Sequence, residues 1–140
     1  MERLKLDQET LELSSLMERI TGAKIKDCFK DDSNETIYLI VSPGELGKAV
    51  GKGGSNVRQV QEKLGRKIRV VEFSENLITF VKNLVYPLNT SEIKEEAGNL
   101  IIKDNNKKTK SLLIGRDGKN LKILNRAVKR FFNVDEVKII

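Results

Sequence analysis

Two short runs have the residue types and spacing to do chemistry: Gly51-Lys52-Gly53-Gly54 and Gly115-Arg116-Asp117-Gly118. Two glycines separated by two residues let a turn approach a ligand closely, because no Cβ intervenes and positive φ is open to them. Where a helix starts directly after such a turn, its first N–H groups point outward and its dipole favours an anion. A Lys or Arg within the turn adds a full positive charge. The natural guest is a phosphodiester backbone. A lone Gly-x-x-Gly is more often a tight turn, so the weight rests on its repetition. At a constant offset of 64 residues, Gly51, Gly54 and Asn56 match Gly115, Gly118 and Asn120. Val50, Lys52, Val57, Arg58 and Val60 match Ile114, Arg116, Leu121, Lys122 and Leu124 in kind, and the register extends upstream to Ile37 and Ile101. In a chain of 140 residues this period predicts two copies of one domain. Asn56 and Asn120 are expected to cap the helices they open.

The charge is sorted around these runs. Residues 48–69 hold seven basic side chains against one acidic, and residues 103–130 hold ten against two, +14 in all. The remainder has nine basic against seventeen acidic, −8. Two basic faces on an acidic body suit a polyanion, whose counterions are released on contact. The absence of histidine removes the commonest general base and metal ligand. A single cysteine, Cys28, leaves no disulfide and no zinc set, so neither a metal nor a cofactor is expected. Cys28 reads as a small core residue of a strand. The carboxylate pairs Asp31-Asp32 and Glu95-Glu96 are expected in solvated turns. No register of Gly47 to Gly53 supplies a P-loop, and no catalytic residues are assigned. The start of the chain has no leader-like apolar segment and no stretch has the length of a membrane span, an expectation of a cytoplasmic, membrane-free protein.

The elements that must position the two runs follow from periodicity. Leu11, Leu13, Leu16, Met17 and Ile20 predict a helix over 7–20. Strands are predicted over 24–30 and 36–41, and Pro43 is expected to open a short helix to Val50. Val57, Val60 and Leu64 mark a helix stopped by Gly65, and 67–72 reads as a strand. The second half repeats the order: a helix over 75–85, strands over 91–95 and 100–103, a short helix to Ile114, a helix over 120–132 and a strand over 136–140. On the 120–132 helix the expected buried stripe is Leu121, Leu124, Val128 and Phe131, with Lys122, Arg126, Lys129 and Arg130 outside it. Each unit is α-β-β-α-α-β, with the glycines between its last two helices.

A Val/Ile-Gly-x-x-Gly turn between helices of an α-β-β-α-α-β unit resembles the type II KH domain, in which the loop clamps about four nucleotides of single-stranded RNA. The tandem, with almost no linker between Glu72 and Glu75, is similar to the KH pair of the NusA family of termination and antitermination factors in its short archaeal-type form. The resemblance implies an α+β fold of two tandem type II KH domains, 1–73 and 74–140, each with helices packed on a three-stranded sheet. It implies RNA contact by Gly51, Lys52, Gly53 and Gly54, by Val50, Ser55, Arg58, Arg66 and Arg69 in the groove beside them, and by Gly115, Arg116, Asp117 and Gly118. Lys48, Lys119 and Lys122 flank the loops and complete the set. Asp117 sets a negative charge against the expected phosphate, which weakens that loop. The implied partners are single-stranded RNA and RNA polymerase or the transcription complex, for a non-enzymatic, monomeric factor. The amino-terminal polymerase-binding and S1 domains of the longer bacterial pattern have no counterpart in these residues.

Two other readings stay open at this level. One is a KH adaptor in ribosome assembly or RNA processing. The other belongs to a different class, a helix-turn-helix protein whose second helix reads duplex DNA.

Overall fold

The computed structural model describes residues 8–31 and 35–140. It divides into two compact units, Met1–Ser74 and Glu75–Ile140. The first unit runs α1 (Gln8–Thr21), β1 (Ile25–Lys30), β2 (Thr36–Val41), α2 (Leu46–Val50), a single 3₁₀ turn (Lys52–Gly54), α3 (Ser55–Leu64) and β3 (Lys67–Glu72). β2 is central, antiparallel to β1 and parallel to β3. Parallel neighbours cannot be joined by a tight hairpin. The chain must cross over, and it does so through α2, the glycine turn and α3, which sets the turn at the apex of the crossover.

The apolar periodicity explains why these segments fold as they do. Leu13 and Met17 of α1, Cys28 of β1, Ile37 and Leu39 of β2, Val60 of α3 and Ile68 of β3 form one buried cluster, with Ile20, Val57 and Leu64 packed against it. Ala23, Val41 and Ala49 form a second, smaller one. Full burial of a side chain such as Leu39 contributes about 1.5–3 kcal/mol. Val60 thereby pins α3, and Ala49 pins α2, on either side of the glycines.

The second unit repeats the plan with α4 (Leu77–Val85), β4 (Glu92–Glu96), β5 (Asn99–Lys103), α5 (Lys107–Ile114), a 3₁₀ turn (Arg116–Gly118), α6 (Lys119–Phe131) and β6 (Glu136–Ile139). β5 is antiparallel to β4 and parallel to β6. Asn76 and Asn106 cap α4 and α5, accepting from the N–H groups of Thr79 and Thr109. Phe80 of α4 meets the rings of Phe131 and Phe132, with centroids 5.9 and 5.8 Å away. Each unit is α+β, with helices and one three-stranded sheet. No helix among the described residues is long and apolar enough to cross a membrane.

Several expectations are corrected. Asp31 is 4% exposed rather than solvated. Its Oδ1 accepts from the Glu35 N–H at 3.0 Å and helps close the β1–β2 hairpin, while Asp32 lies outside the described residues. Glu95 and Glu96 belong to strand β4; the turn is Ala97-Gly98, both at positive φ. Pro43 does not open α2. It precedes Gly44 (φ 82°) at the centre of a turn closed by a 3.0 Å bond from Glu45 N–H to Ser42 O, the Pro-Gly chemistry of a type II turn. The buried stripe of α6 is Ile123, Leu124, Ala127 and Val128, with Leu121 and Phe131 half-buried at its flanks.

The 64-residue register also fails upstream of the loops. Ile37 pairs with Ile68 across β2 and β3, and Leu100 pairs with Val137 across β5 and β6, all four buried. Ile37 therefore corresponds to Leu100, because the second copy has one extra residue between strand and loop. A one-residue slip moves a side chain to the other face of a sheet, which leaves Ile101 half-exposed.

Candidate nucleic-acid interface

The crossover builds the same loop twice. α2 ends where the Gly51 N–H bonds Gly47 O at 2.9 Å, and α5 ends where the Gly115 N–H bonds Ser111 O at 2.9 Å. The chain then reverses through Gly51 (φ 79°, ψ 166°) and Gly115 (φ 76°, ψ 170°), a region open essentially to glycine alone. The third loop position is left-handed in both copies: Gly53 at φ 61°, ψ 21° and Asp117 at φ 57°, ψ 26°. Gly54 (φ 80°, ψ 14°) and Gly118 (φ 75°, ψ 14°) close the turn, donating to Gly51 O at 3.0 Å and Gly115 O at 3.2 Å.

One side chain holds the two ends of each loop together. Asn56 Nδ2 donates to Lys48 O at 2.8 Å, and Asn120 Nδ2 donates to Leu112 O at 2.8 Å. This corrects the expected role of both asparagines. The N-cap positions are Gly54 and Gly118, and each asparagine reaches back across the loop to the preceding helix instead of capping its own. Neither α3 nor α6 has a side-chain cap, so the positive end of each helix dipole faces the loop without a capping oxygen.

Around the first loop Lys48, Lys52, Gly53, Ser55 and Arg58 are exposed, and Val50, Gly51 and Gly54 half-buried. Arg58 Nη1 donates to Gly53 O at 2.5 Å, a brace that the sequence did not reveal because it depends on one turn of α3 folding beneath the loop. Around the second loop Arg116, Asp117 and Lys122 are exposed, and Gly115, Gly118 and Lys119 half-buried. Leu112, outside the sequence-derived set, occupies the place of Lys48 and is 49% exposed. Arg66 and Arg69 are not brought to the loop. Arg66 follows the far end of α3, ten residues and so roughly 15 Å along the helix axis. Arg69 alternates with the core residue Ile68 and so leaves the sheet on the face opposite α1 and α3. Among the described residues no three His, Cys, Asp or Glu side chains converge as a metal site.

The asparagine tie has a testable consequence. Asn56→Ala should cost about 1 kcal/mol, and Asn56→Asp more, because a carboxylate cannot donate and would face the Lys48 carbonyl. Hydrogen exchange should quicken at residues 51–55 in the order wild type, Ala, Asp; equal protection in all three would show that the tie does not hold the loop.

Comparison with known proteins agrees with this architecture. The KH domain family matches residues 14–82. The chain is 33% identical to a probable transcription termination protein NusA of Methanococcus vannielii, over 99% of this chain and 80% of that one. It is 30% identical to the protein of the same name from Halococcus morrhuae, over 98% of this chain and 99% of that one, and 27% identical to that of Thermoplasma acidophilum over 99% and 97%. The crystal structure of APE1850 superposes with a TM-score of 0.74 at 33% identity, covering 96% of this chain and 100% of that one. With a repeated glycine loop on a repeated α+β unit and relatives matched over 80% to 99% of their own length, the chain belongs to the family of short archaeal NusA-type proteins that carry a KH domain.

Proposed function

We propose that this protein binds single-stranded RNA by clamping its backbone at two glycine loops and acts in transcription termination or elongation, as the names of its relatives suggest. In this reading each unit is a type II KH domain, with boundaries at 1–73 and 74–140, and the role is binding without catalysis. The observation that carries it is the loop itself: the same glycines, the same dihedral angles and the same asparagine tie occur twice, in exposed basic surroundings. Phosphates sit against the loop N–H groups and the starts of α3 and α6, where the helix dipoles favour them. Lys52 and Arg116 add charge. Arg58 spends one N–H on the Gly53 carbonyl and turns its remaining donors to the strand. Lys48 and Ser55 flank the first clamp and Lys119 and Lys122 the second. The transcription complex is the setting, and the protein works as a monomer.

Competition between single-stranded RNA and duplex DNA of matching sequence tests the reading. RNA should win, and its affinity should fall with salt at a slope of roughly −3 on logarithmic axes if about four phosphates are neutralised. Equal competition by duplex DNA would favour a helix-turn-helix groove reader, and a salt-independent affinity would remove the phosphate clamp.

A further inference from the structure

We infer that Asp117 makes the second loop a reader of hydrogen-bond donors on the nucleotide rather than a plain phosphate clamp, a role that rests on the RNA-binding reading of that loop. The two loops share one backbone path, and at its third position the first copy has Gly53 where the second has Asp117. A left-handed conformation is strained for any residue with a Cβ, and glycine fits it, as the first loop demonstrates. Aspartate is tolerated there chiefly when its carboxylate bonds nearby backbone. Asp117 makes no such bond among the described residues, and it is exposed at the loop tip. The fold gains nothing from this side chain.

Its chemistry is also wrong for holding phosphate. A carboxylate beside a phosphodiester repels it, and an ionised carboxylate only accepts hydrogen bonds. The exchange of Lys48 for Leu112 at the matching position of the preceding helix removes a second element of phosphate affinity and sets an exposed apolar side chain there. What remains attractive to Asp117 is an N–H or O–H donor on the nucleotide. Two sources carry that chemistry, the base edges and the ribose 2′-hydroxyls.

The test uses the full chain, wild type and Asp117→Gly, with Asp117→Asn to separate charge from shape. Each is titrated by fluorescence anisotropy with one eight-nucleotide RNA, with its all-2′-deoxy counterpart and with an abasic ribose-phosphate strand. The wild type should prefer the RNA, and Asp117→Gly should cut the preference by about tenfold, the lower end for a hydrogen bond to a charged group. Loss of preference against the deoxy strand alone assigns the ribose hydroxyl, and loss against the abasic strand alone assigns the bases. Asp117→Gly should also bind the strand that lacks the recognised donor more tightly, since there only the like-charge repulsion is removed, and Asp117→Asn should fall between. If both preference ratios are the same in wild type and Asp117→Gly, the proposal is overturned. That result differs from failure of the RNA-binding reading itself, in which the wild type would not bind the strand or a first-loop variant would bind it undiminished.

Discussion

Lys52→Asp/Gly53→Asp is expected to lower affinity for single-stranded RNA by about thirtyfold or more, while the protein stays folded. Lys52 is an exposed cation on the proposed phosphate path, and a hydrogen bond to a charged group contributes about 1.5–3 kcal/mol. The variant removes that contact and sets two carboxylates against the same phosphates. The fold should tolerate the change, because a Cβ at Gly53 meets nothing within 4 Å. Asp117 already lives in the same left-handed conformation in the second loop, at φ 57°. The strain at position 53 is about 1 kcal/mol, a shift of roughly 5 °C in melting temperature for a unit of this size. Arg116→Asp should act in the same direction with a smaller effect, since Asp117 already sets one carboxylate in its loop. Anisotropy titration beside a circular dichroism melt reads both quantities. Undiminished binding by the folded variant would remove the first loop from the RNA path.

What could be read before the fold was known follows from where the information lies. The glycines and asparagines stand at fixed spacing in both copies, so the loop was legible as a repeat. The order of helices and strands was legible because Leu13, Met17, Ile37, Leu39 and Val60 keep the helix and strand periods of a shared core. The equivalence of Ile37 with Ile101 was misleading, since a one-residue insertion in the second copy is silent in an apolar strand until its partner strand fixes the register. Asn56 was visible as a polar residue at a helix start, yet its bond runs eight residues back to Lys48, a contact set by the angle between α2 and α3. Arg66 and Arg69 share the basic window of the first loop in sequence and leave it in space, since charge along a chain says nothing of which end of a helix or face of a sheet it reaches.

Gly51→Ala should be far more damaging than Gly53→Ala, although both replace a loop glycine with the smallest side chain. At Gly51 an added Cβ would lie 2.7 Å from Asn56 Cγ and 2.8 Å from its backbone nitrogen. The side chain could swing away only by giving up the tie to Lys48 O, and the backbone nitrogen belongs to the first turn of α3, which Val60 anchors in the core. The φ of 79° with ψ of 166° adds strain of about 1–3 kcal/mol for any residue with a Cβ. Together with the lost hydrogen bond this amounts to about 2–4 kcal/mol, enough to remodel the loop or to lower the melting temperature by roughly 10 °C or more. Gly53→Ala meets no atom and carries only the left-handed strain of about 1 kcal/mol, so its melt should fall by no more than roughly 5 °C. The same contrast belongs to the second unit, where a Cβ at Gly115 meets Asn120 Cγ and N at 2.8 Å and one at Gly118 meets nothing within 4 Å. Thermal melts and RNA titrations of the four alanine variants give the comparison. Loss of binding in Gly51→Ala with near-normal binding in Gly53→Ala would place the function in the backbone path of the loop and its asparagine tie, since neither substitution alters a charge. Wild-type stability and binding in Gly51→Ala would mean that the loop can hold RNA along a different path from the one described.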